Sequence, residues 1–302
     1  MVPSIVQDIS AALNSIAHNP TLDIASNFVA RSHALEALAE QVLDRIENVL
    51  YEHGYQQELA QLYQRAEQVW KRLESINAEL FAGLRQQLAA TPTTANMLKH
   101  MFATYVGSTG DDHHEDASGY DCLDLFVNGL LGIGQAPETA KTLESGMIGY
   151  HPTPARVILA FLKHARLSTQ DVLYDVGSGL GRVVLLAGLL SPAYVKGIEV
   201  EPAYYTYARQ CAERFNLARV VYENIDARAA DYTDGTVFFL YTPFTGHMFE
   251  AVLDKLYAQA QARQITIATY GLCTRHASQQ DWLHLTVNQE FGHDTLALFR
   301  SR

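Results

Sequence analysis

Val172-Leu173-Tyr174-Asp175-Val176-Gly177-Ser178-Gly179-Leu180-Gly181 decides the fold. The first five residues predict a short buried strand, and a helix is expected from Arg182 onward. Between them, glycines at alternate positions let the chain turn sharply at the carboxyl edge of a sheet. They also let it approach a ligand with no Cβ in the way. A nicotinamide fingerprint would read Gly-x-Gly-x-x-Gly and place its third glycine at 182, where this chain has Arg182. Two residues before the first glycine stands an acid, Asp175. A carboxylate there would repel a pyrophosphate and suits a ligand carrying a cationic amine and a sulfonium.

Outward from this loop the texture is that of a parallel α/β sheet, with short β-rich runs separated by helices. Strands are expected at 172–176, 195–199, 220–223, 237–241 and 265–270. A last pair, 283–287 and 295–299, is joined too closely for a crossover helix and should form an antiparallel hairpin. The second strand ends Gly197-Ile198-Glu199, with Glu199 lying 22 positions beyond Gly177. A carboxylate there can accept two hydrogen bonds from ribose hydroxyls. The third strand leads into Asn224-Ile225-Asp226-Ala227, where an acid can accept from an adenine amino group. The fourth runs into Tyr241-Thr242-Pro243-Phe244, an aromatic-proline turn beside the glycine loop.

These motifs resemble those of the class I, seven-strand S-adenosylmethionine-dependent methyltransferases, over about residues 144–299. Within that class the chain is most similar to the non-SET histone-lysine methyltransferases. Their Asp-Leu-Gly-Ser-Gly-Val-Gly loop and following Gly-Val-Glu match Asp175–Gly181 and Gly197-Ile198-Glu199. Tyr150-His151-Pro152-Thr153, with Glu144 before it, stands where that family has a Tyr- and Thr-containing segment that closes over the cofactor. The resemblance implies a Rossmann-like, mostly parallel seven-strand sheet with S-adenosyl-L-methionine as cofactor. It implies cofactor contacts from Tyr150, Thr153, Asp175, Gly177, Ser178, Gly179, Gly181, Glu199, Asp226 and Ala227. Of these, Asp175 and Gly177 would meet the methionine end, Glu199 the ribose and Asp226 the adenine. The turn after the fourth strand departs from the family. Tyr241-Thr242-Pro243 stands in place of Asn-Asn-Phe, and Tyr241 replaces the carbonyl acceptor of the Asn/Asp-Pro-Pro-Tyr/Phe turn used by adenine and glutamine methyltransferases. Tyr241 and Phe244 are the candidate catalytic residues, lining the acceptor side with aromatic faces that can stabilise positive charge.

The first 143 residues read as an all-helical domain, with the cofactor-binding domain at 144–302. Leu35, Leu38, Val42, Ile46 and Val49 recur at three and four, and Gly54 is placed to stop that helix. Leu59, Ala66, Leu73 and Leu80 then repeat every seven residues. The expected form is a long antiparallel helical hairpin with its tip near Gly54, a packing scaffold or a homo-oligomer surface. Thr91-Pro92-Thr93-Thr94 breaks the pattern, and shorter helices should follow through Met97–Tyr105. The run Asp111-Asp112-His113-His114-Glu115-Asp116 invites a metal reading. Neighbouring residues converge poorly on one ion, so a solvated loop and no metal are expected.

Composition narrows the function classes. Of 302 residues, 48% are hydrophobic and 18% charged, which excludes a wholly disordered chain. The longest apolar run, around Val183–Leu190, is too short to span a membrane. The start of the chain lacks the pattern of a secretory signal, and the three cysteines, Cys122, Cys211 and Cys273, suit a reducing, cytoplasmic setting. The net charge of −11 lies entirely in residues 1–144, with 8 basic against 19 acidic side chains, while the remainder balances at 14 each. That acidity disfavours a nucleic-acid partner and leaves a protein side chain or small molecule as the expected methyl acceptor. The alternative is a non-catalytic S-adenosylmethionine-binding assembly or regulatory protein. A nicotinamide oxidoreductase is disfavoured by Arg182. His151, His247 and His276 read as surface residues and Cys273 as packing.

Overall fold

The computed structural model describes residues 2–54, 57–90, 95–107, 120–287 and 295–302. The expected breaks at Thr91–Thr94 and the acidic run Asp111–Asp116 lie outside the described residues. The helical hairpin is present. Its first arm joins α2 (Phe28–Leu38) to α3 (Asp44–His53) through a π-helical turn at Ala39–Leu43, and Gly54 closes it with φ 77°. Its second arm, α4 (Gln57–Ala90), runs 34 residues or about 50 Å. A helix outside the expected hairpin, α1 (Val2–Ala17), buries Val6, Ile9 and Leu13 against the two arms.

α4 serves two cores. Its first half, through Leu59, Ala66 and Leu73, closes a core with α1, α2 and α3. Its second half, through Leu80, Phe81, Leu84 and Leu88, joins the core that also contains α5 (Ala95–Tyr105), α6 (Cys122–Leu131), α7 (Ala155–Ala165), α8 (Arg182–Leu190) and one face of the sheet. Hydrophobic packing is therefore continuous across the expected division at residue 144.

The sheet has seven strands in the order β3-β2-β1-β4-β5-β7-β6. β1 (Val172–Val176), β2 (Tyr194–Glu199), β3 (Val220–Asn224), β4 (Val237–Tyr241) and β5 (Thr266–Tyr270) are parallel. β6 (Leu283–Val287) and β7 (Ala297–Ser301) form the antiparallel hairpin, with β7 inserted beside β5. This is the expected mostly parallel sheet closed by a C-terminal hairpin. β7 sits two residues later than expected, because Ser301 donates its N–H to the Ile265 carbonyl and its Oγ accepts from the Ile265 N–H, both at 2.9 Å. The order reverses at β1, so the carboxyl ends of β1 and β4 flank a crevice where ligands bind in open sheets of this kind. The remaining crossover helices are α9 (Pro202–Glu213) and α10 (Gly246–Ala260), with the short α11 (Cys273–Ser278) before the hairpin. No helix among the described residues is long and apolar enough to cross a membrane.

Aromatic contacts knit together the helices of the first half that face the sheet core. Phe81 of α4 and Phe126 of α6 lie 5.5 Å apart, and Phe28 completes an edge-to-face triangle with them. Gly129 of α6 allows this approach, since a Cβ there would overlap the Phe81 ring. Phe81 is held on both sides and cannot swing away. We expect Gly129→Ala to lower stability through overpacking worth about 1–3 kcal/mol, offset by up to about 1 kcal/mol of helix propensity. A denaturant midpoint equal to or above that of the wild type would show that α4 and α6 are not packed this closely.

Candidate functional site

A cleft of about 700 Å³ opens at the carboxyl ends of β1, β2, β3 and β4, within the usual size of a small-molecule site. Its floor is the loop after β1. Gly177 and Gly179 adopt φ values of 82° and 53°, and both carry a second constraint. A Cβ on Gly177 would overlap Pro243, and one on Gly179 would lie 2.6 Å from the Tyr150 ring. The loop is thus pressed between the turn after β4 and the segment before α7. Gly181 caps α8 from behind the loop, against Tyr222, and is not part of the cleft wall. Its expected role as a cofactor contact becomes one of turning the chain.

Among the described residues, three that line the cleft each have a buried polar side-chain atom without a hydrogen-bond partner: Asp175 Oδ2, Ser178 Oγ and Arg182 Nε. Burial, reinforced by the nearby Glu199 carboxylate, pushes the Asp175 carboxyl up to about 8. Glu199 is braced. Its two oxygens accept from the N–H groups of Gly179 and Glu201, both at 2.7 Å, and burial still holds its pKa above the ordinary range against those bonds. Part of its accepting capacity therefore fixes the glycine loop, and the residue also lines the cleft.

The expected third acid, Asp226, is also engaged. Arg228 grips both of its oxygens and, together with the Arg228 N–H, holds the carboxyl below its usual range against the cost of burial. The same guanidinium reaches Glu144 at 3.0 Å. Ala227 lies beside Asp226 on the wall. Residues 139–153 cross the mouth of the cleft as a strap. The N–H groups of Ala140 and Lys141 donate to the Glu201 carboxylate at 2.9 Å each. Ile148 donates to the Pro243 carbonyl, and Thr245 to the Gly146 carbonyl. The strap ends with Tyr150 packed 5.4 Å from Tyr204 and with Thr153 buried beside Arg182.

On the opposite wall, Tyr241 is half-buried with its ring 4.8 Å from Tyr270. Phe244 also borders the cleft but is largely buried against Phe249. Between them Thr242 adopts φ 33°, a costly conformation for a β-branched residue. It is held there by three contacts. Its Oγ1 donates to the Tyr270 carbonyl and accepts from the Cys273 N–H, while its own N–H donates to Cys273 Sγ. Cys273 is buried packing as expected, and it also clamps this turn. His151, His247 and His276 are all exposed.

The cleft thus gathers eleven of the twelve residues singled out from the sequence, all but Gly181. Sequence reading missed Arg182 as a wall residue, Glu201 and Arg228 as the anchors of the strap, and Thr242 as a strained pivot. In the sequence Arg182 marks only the start of a helix and the absence of a third glycine. Glu201, directly before Pro202, carried the signal of a helix cap, and it does cap α9. Among the described residues no group of three or more His, Cys, Asp or Glu side chains is placed to hold a metal ion.

No protein-family model matches the sequence, and no curated protein matches it. Among solved structures, the chain is similar to an RNA methyltransferase from Salinibacter ruber in complex with S-adenosyl-L-homocysteine. The identity is 25% and the TM-score 0.40, over 50% of this chain and 92% of that one. It is also similar to a precorrin-6y C5,15-methyltransferase from Geobacter metallireducens, at 19% identity and a TM-score of 0.38, over 50% and 89% of the two chains. A ribosomal protein L11 methylase from Lactobacillus delbrueckii subsp. bulgaricus shows 17% identity and a TM-score of 0.38, over 52% and 81%.

The raised Asp175 carboxyl has a consequence for stability. Its ordinary value is 3.8, and in the fold it rises to about 8. Between those values the native state binds more protons than the unfolded chain, so stability of the ligand-free protein falls as pH rises through that window. We expect Asp175→Asn to remove this component of the slope. Urea denaturation of both proteins from about pH 5 to about pH 8 measures it. Identical pH dependence in the two would show that Asp175 titrates near its ordinary value.

Proposed function

We propose that the protein transfers a methyl group from S-adenosyl-L-methionine, held in the cleft along β1, β2 and β3, to an acceptor that enters beside Tyr241. The observation that carries this reading is the set of buried polar atoms without partners on the cleft floor. A buried polar group left unpaired costs about 1–3 kcal/mol, so a site that assembles three of them is built for a polar ligand. Asp175 Oδ2 suits a cationic amine. Glu199, one strand over, keeps lone pairs for a diol, and Asp226 with Ala227 bounds the place for an adenine ring. The chemistry agrees with the motif resemblance in Asp175–Gly181 and Gly197–Glu199.

Bound in this way, the donor supplies a methyl carbon already activated by a sulfonium. The protein has then to align, exclude water and leave the acceptor's lone pair free. The strap over residues 139–153 and the packed Tyr150–Tyr204 pair close the donor side to water. Pro243, locked in φ and clamped against Gly177, fixes the wall past which the acceptor must approach. The faces of Tyr241 and Tyr150 can attract positive charge at the reacting centre. As the acceptor's lone pair forms the new bond to carbon, the sulfur–carbon bond breaks, its electron pair returns to sulfur, and any acceptor proton leaves to water.

The likeness to the non-SET histone-lysine enzymes supports the donor side of this reading. Tyr241-Thr242-Pro243 stands where that group has Asn-Asn-Phe, so the acceptor is what experiment must read. The acidity that disfavoured nucleic acid belongs to residues 1–144 and does not extend to the charge-balanced half that carries the cleft. The test incubates the protein with donor labelled in its methyl group and a cell extract, then separates protein, RNA and small molecules. Label in one fraction supports the reading and names the acceptor class.

S-Adenosylhomocysteine should raise the melting temperature, and at a hundredfold excess over Kd it should add about 2.7 kcal/mol of stability. No shift with either the donor or this product would sink the reading. For the acceptor wall, Tyr241→Ala should leave donor affinity within a fewfold and cut turnover by about tenfold or more, equivalent to about 1.4 kcal/mol of transition-state stabilisation. A pure packing role against Tyr270 gives the opposite pattern, with lower stability and unchanged turnover per folded molecule.

A further inference from the structure

Arg182 is 4% exposed, yet only part of its guanidinium is used within the protein. Nη1 donates to Asp124 Oδ1 at 2.6 Å and to the Thr153 carbonyl at 3.0 Å. Nη2 donates to Asn128 Oδ1. Nε, on the same planar group, has no partner among the described residues. Asp124 and Asn128 lie one turn apart on α6, in the helical half of the chain. The Asp124 carboxylate is itself fixed, accepting from the N–H groups of Ala155 at 2.8 Å and Asp121 at 3.0 Å. Burial nevertheless holds its pKa above the ordinary range, with those bonds and Arg182 opposing.

A guanidinium presents its five donors in a rigid fork, so fixing both outer nitrogens also fixes the direction of the Nε–H. Arg182 lines the cleft, and Tyr150 lies within electrostatic reach of both Arg182 and Asp175. An unpaired cationic donor and an unpaired acid in one part of a wall complement a zwitterion.

We infer that α6 is a working part of the donor site: Asp124 and Asn128 are positioning residues that hold Arg182 so that its Nε–H meets the carboxylate of the donor's amino-acid end. This rests on the donor reading above. The helical half then does more than cover the sheet. It sets the geometry of a contact that the glycine loop alone cannot provide.

Calorimetric titration with two ligands tests this. S-Adenosylhomocysteine carries the amino-acid end, and 5′-methylthioadenosine keeps the nucleoside and sulfur but lacks that end. The wild type should bind the first more tightly. Asn128→Ala, at a half-buried position where the fold should survive, and Asp124→Asn, which keeps the shape, should each weaken S-adenosylhomocysteine about tenfold. That is about 1.4 kcal/mol. Affinity for 5′-methylthioadenosine should stay within about twofold. Equal losses for both ligands would mark a merely structural role, and unchanged affinity for S-adenosylhomocysteine would remove α6 from the site; either overturns the inference while the donor reading stands. A wild type that binds neither nucleoside overturns the donor reading, and the inference with it.

Discussion

Carboxylates taken out of water organise this molecule. Asp124, Asp175, Glu199 and Glu201 are each less than a tenth exposed; the last three line one cleft, and Asp124 holds Arg182 of its wall. A buried carboxylate is costly unless N–H groups meet its oxygens, so each one dictates where a piece of backbone must run. Glu199 fixes the glycine loop through Gly179 and the start of α9 through Glu201. Glu201 then fixes the strap through Ala140 and Lys141, and burial, which alone would raise its pKa, is outweighed by those N–H groups and that of Ala203. Asp124 fixes the start of α7 and the side chain of Arg182. Three of the four are satisfied by the protein. Asp175 Oδ2 is not, and the proposed donor site rests on that exception.

The same constraint explains why the two halves share a core. A strap and a helix that supply N–H groups to the sheet edge must be held there, and packing does this. α4 is long enough to close the helical bundle with its first turns and to lay Phe81, Leu84 and Leu88 on α6 with its last. α6 in turn places Asp124 and Asn128 against Arg182. A division at residue 144 follows the change in sequence texture, from helical periodicity to strands, but neither the core nor the hydrogen-bond network divides there.

Much of the fold was legible because its signals are local. Alternating glycines, short β-branched runs and three-and-four spacing are read within a few residues of one another, and they yielded seven strands and the hairpin. The spacing of Val6, Ile9 and Leu13 carried the same kind of signal for α1 and was passed over. That Asp175, Glu199 and Asp226 would share one cleft was legible as well, since the ends of β1, β2 and β3 converge in any sheet of this order. Long-range partners were not. Arg182 reaches Asp124 across 58 positions, Glu201 reaches Ala140 across 61, and Arg228 reaches Glu144 across 84. No periodicity records such pairings, because they exist only once distant stretches of the chain have packed.

The acceptor wall was hardest to read for a different reason. Tyr241 and Phe244 both pack against neighbouring rings and border the cleft, so the same side chains are compatible with a packing role and with the proposed site role. Tyr241 tilts on Tyr270, and Phe244 is buried against Phe249, so burial does not separate the two roles. Thr242 is a β-branched residue at φ 33°, a conformation that costs on the order of 1–3 kcal/mol and that a glycine would adopt freely. The threonine spends its hydroxyl and its N–H on Tyr270 and Cys273, and Gly271 is small enough to admit that hydroxyl, since a Cβ there would lie 2.7 Å from Thr242 Oγ1. What the strain secures is position. It sets Pro243 against Gly177 and turns the wall toward the floor where Asp175 waits unpaired, so strain on one side of the cleft and an unsatisfied acid on the other define the space between them.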